Sequence, residues 1–426
     1  MIRAVPRLAH GRRRPAPFRS LALATALTGL VLCGLSPGHG DAAGPPQLEA
    51  RSWALIDART GETLAGHALK RRLPMASTTK MMTAYLAIRD LPLRMVVRAA
   101  GYQAIPGESL MGLEAGQKVS VRDLLYGLIL LSGNDAAVTL AVADSGSVAK
   151  FVKKMNRTAR RLGLKDTHYQ DPVGLDGEAQ FSSARDLTRL GRILMGLPKF
   201  RPIASARSAT LKSFRPPVEI ESTNDFVVDN EWAKGIKTGH TFGAGYVLAS
   251  DGRRRATELI GAVIGTASET ARDEESVRLL DYGFSLYTKR VPIRPGRKAA
   301  EVPVRYSDED LGVVARKPIR IGVREGERLV TKILVPDEVT GPIRRGAPIG
   351  RAVTTLDGDR IAVVRLVAVR AVAEPTLLEK ARSWLPVALI SLAILLSVII
   401  GLYMVLRHRQ STRMQKRLQR LPRRQG

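Results

Sequence analysis

Ala76-Ser77-Thr78-Thr79-Lys80-Met81-Met82, with Tyr85 and Leu86 one turn further on, opens an apolar helical run. A serine and a lysine at i and i+3 share one face of a helix. In the first turn the serine also lies beside backbone N–H groups that lack an intrahelical acceptor, and these suit a developing anion. Lysine acts as a base only when neutral. From a reference near ~10.4 its pKa must fall by about 3 units, roughly 4 kcal/mol, supplied by burial and a nearby cation. By itself the spacing is weak, because Ser147-Val148-Ala149-Lys150 repeats it and reads as a plain helix start.

Further along come Ser132-Gly133-Asn134 and the chain's one Lys-Thr-Gly triplet, Lys237-Thr238-Gly239; Ser222-Thr223-Asn224 is a second Ser-x-Asn. Each triplet alone also reads as a cap, a turn or a strand end. The order Ser77…Ser132…Lys237 is harder to attribute to structure alone. No G-x-S-x-G elbow, H-E-x-x-H, P-loop or G-x-G-x-x-G occurs. His67, His168 and His240 are the histidines between the two ends of the chain, so a Ser-His-Asp triad or a histidine metal site has few candidates. A single cysteine, Cys33, excludes a disulfide framework and a multi-thiolate zinc site. Neither a metal nor a cofactor is expected.

Around these motifs, residues 51–287 mix strands and helices. Trp53–Ile56 and Thr63–Ala65 flank a turn at 57–61, and Gly245–Ser250 and Leu259–Thr266 flank Asp251-Gly252 and the basic run that follows; both read as hairpins. Helices are expected over Val121–Leu131, capped by Ser120; over Ser147–Leu162, stopping at Gly163; over Ser183–Leu194; and over Glu269–Tyr287. Strands at both ends with helices inserted predict an α+β domain on an antiparallel sheet, spanning residues 46–290. Val291-Pro292-Ile293-Arg294-Pro295-Gly296 reads as a linker. Residues 298–372 alternate apolar and charged side chains without helical period and predict a small all-β domain, with strands over Ile319–Val323, Arg328–Leu334 and Ile361–Ala368.

The chain has 426 residues and a formal net charge of +28. At about 150 residues per domain that length suggests two or three domains, and 45% hydrophobic residues exclude general disorder. Residues 1–43 carry six arginines followed by an apolar run from Leu21 to Leu35 and small residues, the pattern of a secretory signal peptide. Leu32 before Cys33 argues against a lipoprotein site. Residues 373–383 read as a stalk. Residues 384–406, Trp384 to Leu406, are uncharged and long enough to cross a bilayer of about 30 Å. Residues 407–426 carry eight Lys/Arg and no acid, so the positive-inside rule places this tail in the cytoplasm and the preceding domains outside, as a single-pass type I membrane protein. The two ends account for +13 of the +28, leaving +15 on residues 46–406. That distribution, with 5% aromatic residues, argues against nucleic acid as a partner.

The three triplets resemble the active-site motifs of the serine D-Ala-D-Ala carboxypeptidases, the low-molecular-mass penicillin-binding proteins. Gly107-Glu108-Ser109-Leu110-Met111, Leu130 to Ala136, Gly174-Leu175-Asp176, Ser182 to Leu187 and Gly235 to Thr241 extend the likeness over roughly residues 50–290, and 298–372 is similar to the family's C-terminal domain. The resemblance implies a β-lactamase/penicillin-binding-protein-like fold with helices on both sides of its sheet. It implies removal of the terminal D-Ala from peptidoglycan stem pentapeptides through a Ser77 acyl-enzyme, with β-lactams as covalent inhibitors. Ser77 would be the nucleophile and Lys80 its base, while Ser132 would relay a proton to the leaving D-alanine. Asn134 would hold the peptide backbone, and Lys237 and Thr238 the terminal carboxylate, Lys237 also supplying a cation that keeps Lys80 neutral. Gly239 completes the triplet. The backbone N–H groups of Ser77 and His240 would form the oxyanion hole. Some relatives place a histidine where this chain has Val173. Endopeptidase or transpeptidase action would use the same site. A β-lactamase of the common soluble class would need a Glu-x-x-Leu-Asn element, which does not follow Ser132, and a catalytically weak wall-binding scaffold would not need the four intact polar groups.

Overall fold

The computed structural model describes residues 44–418. The segment read as a signal peptide, with Cys33, lies outside the described residues, as does the tail beyond 418. The chain begins with an antiparallel hairpin, β1 (Ser52–Asp57) and β2 (Thr63–His67). A short 3-10 turn, Ala76–Thr79, runs into α1 (Lys80–Asp90). Then follow a small hairpin of β3 (Val96–Arg98) and β4 (Lys118–Ser120), and the helices α2 (Val121–Leu130), α3 (Asn134–Ser145), α4 (Val148–Arg161), α5 (Ala184–Met195) and α6 (Arg201–Ala204). A second small hairpin, β5 (Ser208–Leu211) and β6 (Val218–Glu221), and a turn of helix, α7 (Asp225–Asp229), precede β7 (Ala233–Thr241), β8 (Gly245–Arg254), β9 (Thr257–Thr266) and α8 (Glu269–Ser285).

The two ends of this half meet in one five-stranded antiparallel sheet, ordered β2-β1-β9-β8-β7. Side chains alternate across it as the strand period requires. Leu55, Leu248, Leu259 and Val263 pack with Leu279 and Leu280 of α8 on one face. Ile56, Ala249 and Ile260 join the larger core formed with α1 to α5 on the other. The α+β reading with helices on both sides therefore holds. Serines 120, 147, 183 and 268 cap their helices, each accepting from the amide three residues on. Ser147 thus has the cap role expected of the second Ser-x-x-Lys.

Several local expectations are corrected. The β8–β9 hairpin turns at Arg255-Ala256, at the end of the basic run, so β8 extends past Ser250 through Arg254; Arg254 pairs with Thr257, and both turn residues have positive φ, as a two-residue hairpin turn requires. Asp251 and Gly252 continue the strand because they are buried. Helix α3 was not anticipated: it is buried on most of its surface and carries almost no amphipathic pattern. The segment read as a linker is partly strand, since β10 (Thr288–Ile293) pairs with β13 (Ile319–Val323).

The C-terminal half is all-β. β11 (Lys298–Pro303), β12 (Asp310–Ala315), β14 (Leu329–Leu334), β15 (Pro348–Leu356) and β16 (Asp359–Ala368) form a second five-stranded sheet, ordered β11-β12-β16-β15-β14. Arg59 donates to Glu327 at 2.9 Å and Arg324 forms a two-pronged pair with Glu62, linking the first hairpin to this half. Finally α9 (Leu377–Leu418) contains one stretch long and apolar enough to cross a membrane. Within the segment read as a stalk, the chain is helical from Leu377 onward and continuous with that stretch.

Leu280 is fully buried between α8 and the sheet. Leu280→Ala is expected to destabilise the folded chain by about 2–5 kcal/mol. In urea denaturation followed by tryptophan fluorescence the midpoint should fall with its slope unchanged.

Candidate active site

Ser77 sits in the 3-10 turn and Lys80 is the first residue of α1. The turn is entered through Ala76 at φ 48, a left-handed conformation that an alanine adopts only under constraint. Lys80 is completely buried; its Nζ donates to Ser77 Oγ at 2.9 Å and to the Val173 carbonyl at 2.8 Å. Among the described residues it makes no ion pair. Burial pushes its pKa down from 10.5 to about 7, against the pull of Asp171, Glu108 and Asp135. A fall of that size withholds about 5 kcal/mol from the charged form.

The opposite wall is β7, the edge strand, whose only partner in the sheet is β8. Lys237, Thr238 and Gly239 are buried along it and His240 is exposed. The strand runs close against the Ser77 turn because residue 239 has no side chain. A Cβ there would lie 2.8 Å from the Ser77 amide nitrogen and 2.9 Å from the Ala76 Cβ, closer than real Cβ atoms come. Lys237 Nζ donates only to the Thr238 carbonyl, at 2.9 Å, and weakly to its hydroxyl, at 3.5 Å. Burial, and then repulsion from Lys80 and Arg272, hold the Lys237 ammonium well below its ordinary value. Burial disfavours the charged form of both amines, and because repulsion between Lys80 and Lys237 is mutual, a charge on either disfavours a charge on the other.

Ser132 lies in the turn between α2 and α3, buried, at φ 59. Its hydroxyl makes no hydrogen bond to Ser77 or Lys80 among the described residues; such contacts are often loose before substrate binds. Asn134 opens α3, and its side-chain amide donates to the Tyr102 hydroxyl at 3.4 Å. Tyr102 in turn donates to Glu108 at 2.5 Å, and burial together with that bond raises its pKa. The His240 imidazole stacks on Tyr246, with centroids 4.1 Å apart.

Three carboxylates have positioning roles that the sequence alone did not reveal. Asp135 accepts from the amides of Met111, Gly112, Leu113 and Ala136, at 2.8–2.9 Å, and so fixes the 107–113 segment beside Asn134. Asp171 accepts from Val173 N at 2.7 Å and Gly174 N at 2.5 Å, aiming the Val173 carbonyl at Lys80. Gly174 has φ +102, and a Cβ there would collide with the Ala76 carbonyl oxygen. Asp176 ties this loop to the end of β7 through Thr241 Oγ1 at 2.6 Å and Gly243 N at 2.9 Å. Asp135, Gly174 and Asp176 fall inside the motifs quoted above, which was the available signal. Asp171 had none. At residue 173 the backbone carbonyl makes the contact, so the side chain there is free to be valine. No group of three or more metal-ligating side chains occurs among the described residues.

Comparison with known proteins gives consistent matches. Residues 39–268 match the D-alanyl-D-alanine carboxypeptidase family, and residues 287–374 match the penicillin-binding protein 5 C-terminal domain. D-alanyl-D-alanine carboxypeptidase DacA of Escherichia coli (strain K12) is 33% identical over 383 residues, covering 84% of this chain and 93% of the relative. D-alanyl-D-alanine carboxypeptidase DacF of Bacillus subtilis (strain 168) is 30% identical over 359 residues, covering 80% and 91%. Among solved structures, penicillin binding protein 5 from Haemophilus influenzae aligns with TM-score 0.54 at 31% identity, covering 78% of this chain and 99% of that one.

The two features that shape the site each make a prediction. If Lys80 is the base that accepts the Ser77 proton, its value near 7 means that acylation by a penicillin should fall about tenfold per pH unit below that value and level off above it, because only the neutral amine can accept a proton. Stopped-flow acylation across pH 5–9, a range spanning about two units either side of that value, reads this directly. Gly239→Val should slow acylation by about a hundredfold or more by moving β7 off the Ser77 turn. Its far-UV circular dichroism should remain that of the unsubstituted protein.

Proposed function

The chain belongs to the D-alanyl-D-alanine carboxypeptidase family and is a serine DD-carboxypeptidase of the low-molecular-mass penicillin-binding type, acting in cell-wall metabolism; from this we propose how its own residues divide the reaction. The observation that carries the proposal is the 2.9 Å contact between Ser77 Oγ and a fully buried Lys80 Nζ. The neutral lysine accepts the Ser77 proton as Oγ attacks the carbonyl of the penultimate D-alanine. The resulting oxyanion is held by the backbone N–H groups of Ser77 and His240. Collapse breaks the C–N bond, and the proton reaches the departing amine of the terminal D-alanine through Ser132. Water then attacks the Ser77 ester, and Lys80 again acts as base. Asn134 orients the peptide backbone.

Lys237 and Thr238 receive the terminal carboxylate. A buried ammonium with no counter-ion is costly, and the substrate anion supplies the missing partner. Once Lys237 is charged by that pairing, its repulsion falls back on Lys80 and favours the neutral base. Substrate binding thereby prepares the nucleophile. A β-lactam enters by the same attack, but its leaving nitrogen stays tethered in the opened ring, so the acyl-enzyme persists.

We further propose a type I arrangement: the signal segment at 1–43 is removed, residues 46–372 stand outside the membrane as catalytic and β-domains, α9 carries the anchor at 384–406, and the basic residues after it face the cytoplasm. Peptidoglycan stem peptides are the partners of the outer part.

The full-length protein in detergent should be labelled covalently by a fluorescent penicillin and should release free D-alanine from a stem pentapeptide. Ser77→Ala should abolish both. Labelling that survives this substitution would refute the assignment, and labelling without D-alanine release would favour a scaffold.

A further inference from the structure

Phe242 follows the His240-Thr241 end of β7, and its ring is fully exposed. A lone exposed aromatic is ordinary on a protein surface, but this one is carried by a turn fixed on both sides. Asp176 accepts from Thr241 Oγ1 and from Gly243 N, Ala244 N donates to Thr241 Oγ1 at 3.1 Å, and Arg51 donates to the Gly243 carbonyl at 2.9 Å and to that of Ala244. The backbone is thus pinned while the ring is left bare. Its neighbour is His240, with centroids 6.5 Å apart, and His240 is itself stacked on Tyr246. Three rings therefore run along the rim of the site at the end of the strand away from Lys237.

The roles proposed above, on which this inference rests, set the direction of the substrate. Its terminal carboxylate lies at Lys237 and Thr238, and its scissile carbonyl faces Ser77 opposite Gly239. The peptide then continues along β7 toward Thr241 at about 3.3 Å per residue. The residue preceding the acyl D-alanine comes to lie one or two strand positions beyond His240, beside Phe242. We propose that Phe242 is a specificity-determining residue that favours a substrate carrying a long aliphatic side chain at that position, by packing its ring against it. Asp176 accepts from the turn through both oxygens, and the bare ring is the apolar surface this corner presents. Apolar surface that the free protein leaves in water is covered when such a side chain binds.

The test compares two tripeptides with the full-length protein in detergent: Nα,Nε-diacetyl-L-Lys-D-Ala-D-Ala and Nα-acetyl-L-Ala-D-Ala-D-Ala. The lysine peptide should be preferred. Phe242→Ala should lower its kcat/KM about fivefold, mainly through KM, and leave the alanine peptide within about twofold. Phe242→Leu should retain most of the preference. Acylation by a fluorescent penicillin should be unchanged in both variants, which shows the Ser77 site intact. An equal effect of Phe242→Ala on the two peptides, or none on either, would overturn this inference alone. If the unsubstituted protein releases D-alanine from neither peptide, the functional reading falls and this inference falls with it.

Discussion

Lys80 is buried without a carboxylate partner, and much of the catalytic half is arranged around that constraint. Helix α1 is apolar on nearly all sides, with Met81, Met82, Ala84, Leu86 and Ala87 inaccessible to water. This places the amine where its charged form is disfavoured. Asp171, Glu108 and Asp135 pull the other way, and burial outweighs them. Asp135 and Asp171 each accept backbone amides and so also shape loops. Among the described residues the amine bonds to one carbonyl and to Ser77 Oγ.

The second constraint is the close approach of β7 to the Ser77 turn. An edge strand with one free side is ordinarily exposed to unwanted pairing. Here that side faces the nucleophile turn and the space a peptide backbone would occupy. Gly239 permits the approach, Gly174 lets the opposing loop close under Ala76, and Asp176 joins that loop to the end of the strand. The site is thus a seam between the sheet edge and the helical core, and three separate stretches of chain must arrive there together.

Much of this was legible beforehand. The Ser77–Lys80 pair, the helix starts at Ser120 and Ser147, and the strand-rich ends of the first half follow from periodicity and local hydrogen-bonding chemistry. Elements without an amphipathic pattern were not legible. Helix α3 is enclosed on nearly every side, so its sequence carries no contrast between faces. The strand pairing of β10 depends on a partner about thirty residues away. The turn at Arg255-Ala256 lacks glycine or asparagine, the residues that usually mark positive φ, so the hairpin was legible but the point within its connection where the chain reverses was not.

The sequence by itself determined the chemistry: a serine and a lysine one helical turn apart, the Ser-Gly-Asn and Lys-Thr-Gly triplets in order, and an uncharged stretch before a basic end. These are statements about residue type and spacing, which are local. Tertiary structure alone decided the electrostatics. Whether Lys80 is neutral depends on burial by residues distant in sequence, and its nearness to Lys237 depends on how β7 packs against the Ser77 turn. Asp171 acquires its role only because the fold brings its loop beneath Lys80. Burial and mutual approach are properties of the packed chain, so no reading of spacing along the sequence can supply them.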